Sequence, residues 1–207
     1  MNKKVVEVLG NDPVLKKILK KDLEFEFKVS KNLYEAIVSA IIGQQLSGKA
    51  ATAIENKFRK LFEGKSFPKP SEVLKTPNEK LRNCGLSWQK VKYIKNLSQA
   101  VVDKTLDINE LKNLADEKVI EELIKIKGVG KWTAEMILIF DLAREDVFSV
   151  GDLGLRTAVA KLYNVDRNDL KKIEQISQNW QPYRSYASRL LWFEKDPKAT
   201  LLLRTKN

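Results

Sequence analysis

A glycine turn followed by one aspartate is the clearest chemical signal in this chain. The stretch from Leu123 to Arg156 reads LIKIKGVGKWTAEMILIFDLAREDVFSVGDLGLR. Gly128 and Gly130 bracket Val129 between two helical segments; the first glycine permits a sharp turn and the second lets the backbone approach a neighbour closely. The helix that starts there has free amides and the positive end of a dipole, which suit a phosphate oxygen. Lys127 and Lys131 add charge beside it. A contact of this kind holds a duplex without reading its sequence. Asp152 either caps the next helix or brings a carboxylate to a reaction, and the two roles are compatible.

Composition narrows what that carboxylate works with. The 207 residues carry a formal net charge of +11, and the sequence pI is about 9.6. The lysines are spread along the chain, which favours a folded basic face and a polyanionic partner over a disordered arm. There is no histidine and one cysteine, Cys84. Ser-His-Asp and Cys-His machinery, histidine or cysteine zinc sites, a disulfide and a four-cysteine iron–sulfur cluster within the chain are thereby excluded. Acid–base or electrostatic work falls to carboxylates, Lys, Tyr or backbone dipoles. No apolar run is long enough to span a membrane. The N-terminus lacks a signal-peptide core, so a cytoplasmic, nucleoid-associated protein is expected in a prokaryote and a nuclear one in a eukaryote.

The periodicity is helical throughout, and the expected fold class is all-α, with roughly ten helices and short connections. Residues 1–28 read as one or two helices with Pro13 in a first turn, and 24–29 alternate too weakly for a strand. Ser30 or Asn32 caps a helix over 33–43, which breaks near Gly43. Gln44, Gln45, Leu46, Ser47 and Gly48 form a polar turn, either an ordinary connector or a hydrogen-bonding wedge. Helical periods follow over 50–62, 71–74, 76–81, 87–102 (capped by Ser87), 108–114 and 117–126. After the glycine turn come 155–163, 169–180 and a last segment from Pro182. Three regions are expected: 1–30, packing with the C-terminal lobe; 31–140, a central bundle with the hairpin at 120–140; and 141–207, the loop of Asp152 and the C-terminal lobe.

In combination, four motifs in order resemble one family. LIKIKGVGKWTAEMILIF resembles the helix-hairpin-helix of the base-excision (HhH-GPD) DNA glycosylase superfamily. VFSVGDLGLR resembles its Gly/Pro-rich loop and aspartate, although Val150-Gly151 stands where the proline would be. IIGQQLS resembles its early interhelical turn, and NWQPYRSYASRLLWF the C-terminal segment of the 3-methyladenine DNA glycosylase II (alkylation-repair) family. The match covers residues 30–195. An additional N-terminal β domain of some relatives is not expected here, because about 30 residues precede the helical core.

The resemblance implies two helical lobes with an intervening active-site cleft, acting as a monomer on double-stranded DNA that carries a damaged base. Asp152 would assist cleavage of the glycosidic bond by stabilising an oxocarbenium-like sugar and by orienting or deprotonating water. Position 132 holds a lysine nucleophile in glycosylase-lyases; here it is Trp132, which implies base release without strand cleavage, and Lys131 should point away. Trp132 and Trp192 match pocket aromatics that stack on cationic bases, and Met136 stands where relatives carry a tyrosine. Each tryptophan taken alone could equally be a core aromatic. Gln45, or alternatively Leu46, would fill the gap left by an extruded nucleotide. Gly128, Val129, Gly130, Lys131, Thr133, Lys127, Gln44 and Ser47 complete the implied DNA contacts. The carbonyls of Ile124, Ile126 and Val129 match those that hold an optional monovalent cation; no other cofactor is implied. 3-Methyladenine and 7-methylguanine are the implied lesions, with 1-methyladenine and hypoxanthine as alternatives. The competing reading is a noncatalytic hairpin module that binds DNA and needs neither Asp152 nor Trp132.

Overall fold

The computed structural model describes residues 3–19, 25, 27–62 and 66–195. Among these residues there are twelve α-helices, one 3-10 turn at Glu110–Asn113 and no strand. None of the helices is long and apolar enough to cross a membrane. The expected alternation over 24–29 falls partly outside the described residues, and the residues described there are not in a strand. The chain divides into two compact units: residues 1–28 with 143–207, and residues 29–142.

The second unit is built on α3 (Leu33–Gly43), which follows α1 (Lys3–Gly10) and α2 (Leu15–Ile18) of the other unit. Eight of the eleven residues of α3 are buried, among them Ile37, Val38, Ile41 and Ile42. A helix apolar all round belongs at the centre of a bundle. It packs against α4 (Gly48–Lys60), α7 (Trp88–Val102) and α9 (Lys131–Phe140). Of the two expected caps, Asn32 is the one used: its side chain accepts the Glu35 amide at 3.1 Å. Ser30 instead donates to Asp141 Oδ1 at 2.7 Å, while its amide donates to the Asp141 carbonyl at 2.8 Å. Those bonds join the two ends of the unit. Two short helices, α5 (Pro70–Lys75) and α6 (Asn78–Asn83), pack on α7, and α8 (Asp116–Ile124) pairs with α9 as the hairpin.

The first unit collects α1 and α2 with α10 (Leu153–Tyr163), α11 (Leu170–Gln178) and α12 (Arg184–Lys195). Leu9, Leu15, Leu155, Val159, Ile173, Ala187 and Leu191 form its core around a wholly buried Trp180. Asp12 lies inside this unit and is fully bonded. Its Oδ1 accepts the amides of Val14 (2.8 Å) and Leu15 (3.1 Å), and its Oδ2 accepts Tyr163 Oη–H (2.7 Å) and Trp180 Nε1–H (3.0 Å). Burial alone would raise its pKa, but the bonds from Tyr163, Leu15, Trp180 and Val14 outweigh burial and hold it below the ordinary carboxylate value. One carboxylate thus both turns α1 into α2 and ties them to α10 and the segment after α11.

Candidate active site

The hairpin turn is set by Gly128. Its φ of +109° lies in the region that favours glycine, and a Cβ built there would meet the Tyr93 ring at 2.1 Å. The close approach therefore falls on the first glycine. Gly130, expected to make it, has no such neighbour within 4 Å and serves as the N-cap of α9. Val129 is buried and its amide closes the turn on the Ile126 carbonyl at 2.9 Å. The first helical bond of α9 is Ala134 N–H to the Gly130 carbonyl, so the amides ahead of it have no acceptor in the helix. Lys127 and Lys131 are exposed, and Lys131 lies 3.8 Å from the buried carboxylate of Glu135.

Two residues expected at the DNA surface are engaged inside this unit. Thr133 is 3% exposed, and its hydroxyl accepts Gln44 Nε2–H at 3.2 Å. The same Gln44 nitrogen donates to the Gly128 carbonyl at 2.9 Å. The side chains of Gln44 and Thr133 lock the α3–α4 turn to the hairpin. The neighbouring residues are: Gln45, Leu46 and Ser47 are exposed, and Ser47 caps α4 by accepting the Ala50 amide at 3.4 Å. Gln45 has φ of +57°, a left-handed conformation that is rare for a non-glycine residue. With Gln44, Ser87, Gln89, Lys90, Tyr93, Gly130, Thr133 and an exposed Trp132, it lines a concavity of about 400 Å³. Met136, one turn beyond Trp132, is half-buried.

Asp152 lies in the other unit, at the N-cap of α10. Its Oδ1 accepts the Leu155 amide at 2.7 Å and Trp192 Nε1–H at 3.0 Å. Gly154 permits this pair: a Cβ there would lie 2.9 Å from Asp152 Oδ1 and 3.2 Å from Trp192 Nε1. The loop before Asp152 is bound to the start of α12 by three consecutive residues. Arg184 forks onto Asp146, Nε to Oδ1 at 2.8 Å and Nη2 to Oδ2 at 3.0 Å. Ser185 Oγ accepts the Val147 amide at 2.9 Å, and the Ser185 amide donates to the Glu145 carbonyl at 2.9 Å. Tyr186 Oη donates to Glu145 at 2.8 Å. Burial, then that bond, raises the Tyr186 hydroxyl above its ordinary value. No sequence motif marks Arg184 or Glu145, and the R-S-Y run at 184–186 is the local hint of this strip.

Residues 38–182 match the model of the HhH-GPD superfamily of base excision DNA repair proteins, and the chain belongs to that family. Among individual relatives, it is 35% identical over 164 residues to DNA-3-methyladenine glycosylase 1 of Schizosaccharomyces pombe, covering 78% of this chain and 72% of that protein. It resembles the crystal structure of a DNA-3-methyladenine glycosidase from Bacillus halodurans, with TM-score 0.81, 36% identity and 96% and 91% of the two chains covered. It also resembles Mag1 of Schizosaccharomyces pombe in complex with abasic DNA, with TM-score 0.84, 31% identity and 93% and 96% covered.

Proposed function

We propose that this chain is a monofunctional DNA glycosylase that excises alkylated purines, 3-methyladenine and 7-methylguanine, from duplex DNA and so initiates base excision repair. The observation that carries the reading is the fixed Asp152 carboxylate, held by the Leu155 amide and the Trp192 indole in a chain of the HhH-GPD family. The names of the relatives, DNA-3-methyladenine glycosylases, support the substrate class.

In this reading the hairpin amides of α9, with Lys127 and Lys131, take a phosphate of the damaged strand. Gln45 enters the stack as the damaged nucleotide leaves it. Trp132 and Trp192 each offer an indole to a base made cationic by alkylation, an attraction of about 0.5–2 kcal/mol. The C1′–N bond then breaks with its electron pair going to the base, which departs neutral. Asp152 stabilises the positive sugar and orients the water whose oxygen adds at C1′; the water's proton passes to the carboxylate and on to solvent. A cationic base is a good leaving group, so a site in a chain without histidine suffices. A monovalent cation suits the main-chain oxygens of Ile124, Ile126 and Val129, because a carbonyl that accepts one hydrogen bond keeps a second lone pair. It would add positive charge beside the phosphate, and no step depends on it.

Trp132 supports release of the base without strand cleavage, since an indole cannot form a Schiff base. The test is chromatography of bases released from alkylated duplex DNA, with borohydride trapping in parallel. Release of 3-methyladenine and 7-methylguanine with no trapped adduct is expected. A trapped adduct overturns the monofunctional assignment, and absence of release overturns the activity.

A further inference from the structure

Lys90 has an unusual pair of partners. Its Nζ donates to the carbonyls of Ile42 and Gln44, both at 2.7 Å, from α7 across to the end of α3. The Ile42 bond alone would be an ordinary cap for an orphaned carbonyl at a helix C-terminus. The Gln44 bond is different, because that carbonyl lies outside the helix and belongs to the peptide that joins Gln44 to Gln45. The orientation of that peptide plane sets the φ of Gln45, which is +57°. That conformation is unfavourable for a glutamine, so contacts that hold the peptide plane favour it. On its other side the turn is tied to the hairpin through Gln44 Nε2 and the Gly128 carbonyl. Lys90, Gln44 and Gln45 line one concavity with Trp132. Partial burial of the ammonium lowers its pKa, consistent with a lysine committed to main-chain oxygens.

We propose that Lys90 is a positioning residue for base extrusion: its ammonium fixes the Gln44–Gln45 peptide so that Gln45 stands ready to enter the gap. The inference rests on the glycosylase reading and on Gln45 as the wedge. It assigns no contact between Lys90 and the reacting atoms. Lys90→Met keeps the aliphatic stem and removes the charge. A role in stability alone would slow every substrate alike. A role in extrusion slows the substrate whose base must be unpaired and whose partner is left orphaned, and spares one in which neither applies.

The experiment measures single-turnover release of 7-methylguanine from two duplexes, one pairing the lesion with cytosine and one holding it in a single-nucleotide bulge. For Lys90→Met the expected rate falls about tenfold on the paired duplex and less than about threefold on the bulge, the difference reflecting loss of a charged hydrogen bond at the wedge. Gln45→Ala should give the same ratio, and the double variant should be no slower than the slower single variant, because the two act as one unit. Thermal melting reports whether each variant is folded. Equal slowing on both duplexes, no slowing on either, or additive losses in the double variant would overturn the inference. If the parent protein releases base from neither duplex, the glycosylase reading itself falls and this inference with it.

Discussion

Trp192 donates its indole N–H to Oδ1 of Asp152 at 3.0 Å, and that same oxygen caps α10 through the Leu155 amide at 2.7 Å. Two donors from different helices therefore set the carboxylate plane. Trp192→Phe keeps an aromatic ring and deletes one donor. Its single-turnover rate on 7-methylguanine duplex should fall roughly tenfold, the scale of one hydrogen bond to a charged group, with DNA binding little changed. A variant at full rate would show that the indole bond does not orient the carboxylate.

Gly154 tests the same geometry by crowding. In Gly154→Ala the new methyl would lie 2.9 Å from Asp152 Oδ1 and 3.2 Å from Trp192 Nε1. One of the two must move, so activity should drop by about tenfold or more while melting shifts little, since alanine suits a helix better than glycine. Unchanged kinetics would mean that the pair tolerates displacement.

The hairpin makes a different prediction. Gly128→Ala imposes a side chain at φ +109° and against the Tyr93 ring. The turn must rearrange, and affinity for undamaged duplex should weaken with a shallower dependence on salt, because fewer phosphate contacts form. Titration of a labelled duplex at several salt concentrations reads both. Parent-like affinity and slope would remove this turn from the DNA interface.

Asp12 predicts a pH dependence of stability in its unit. Its folded pKa lies below the ordinary value, so its contribution is fully present above the unfolded pKa and is lost as pH falls through the folded one. Stability should therefore decline below about pH 4 more steeply in the parent than in Asp12→Ala. At neutral pH that variant should be less stable by about 3 kcal/mol, because the buried Trp180 N–H and the Tyr163 hydroxyl lose their acceptor. Denaturant unfolding at several pH values measures both. Equal pH dependence in the two proteins would contradict the account.

What could be read from the sequence was local. The caps at Asn32, Ser87 and Asp152, the helix break at Gly43 and the turn at Gly128 each follow from a few adjacent residues. The resemblance to a known family implies functional roles for both Asp152 and Trp192, and the two side chains are hydrogen-bonded at 3.0 Å. What stayed hidden depends on pairs far apart in the chain. Lys90 and Gln44 are 46 residues apart, Asp146 and Arg184 are 38, and Asp12 and Trp180 are 168. No spacing rule links such residues, and a lysine in a basic chain gives no sign that its ammonium is turned onto main-chain oxygens. The bond between Gln44 and Thr133 is hidden for a related reason: 89 residues separate the two, and nothing near either one marks its partner.

The most direct test of the account is Asp152→Asn. Asparagine retains an oxygen for the Leu155 amide and the Trp192 indole, so the cap and the fold should survive. Single-turnover release of 7-methylguanine from duplex DNA should fall by about a hundredfold or more, with affinity for a duplex containing an abasic analogue unchanged. Release at the parent rate by a folded Asp152→Asn protein would contradict the assignment of Asp152.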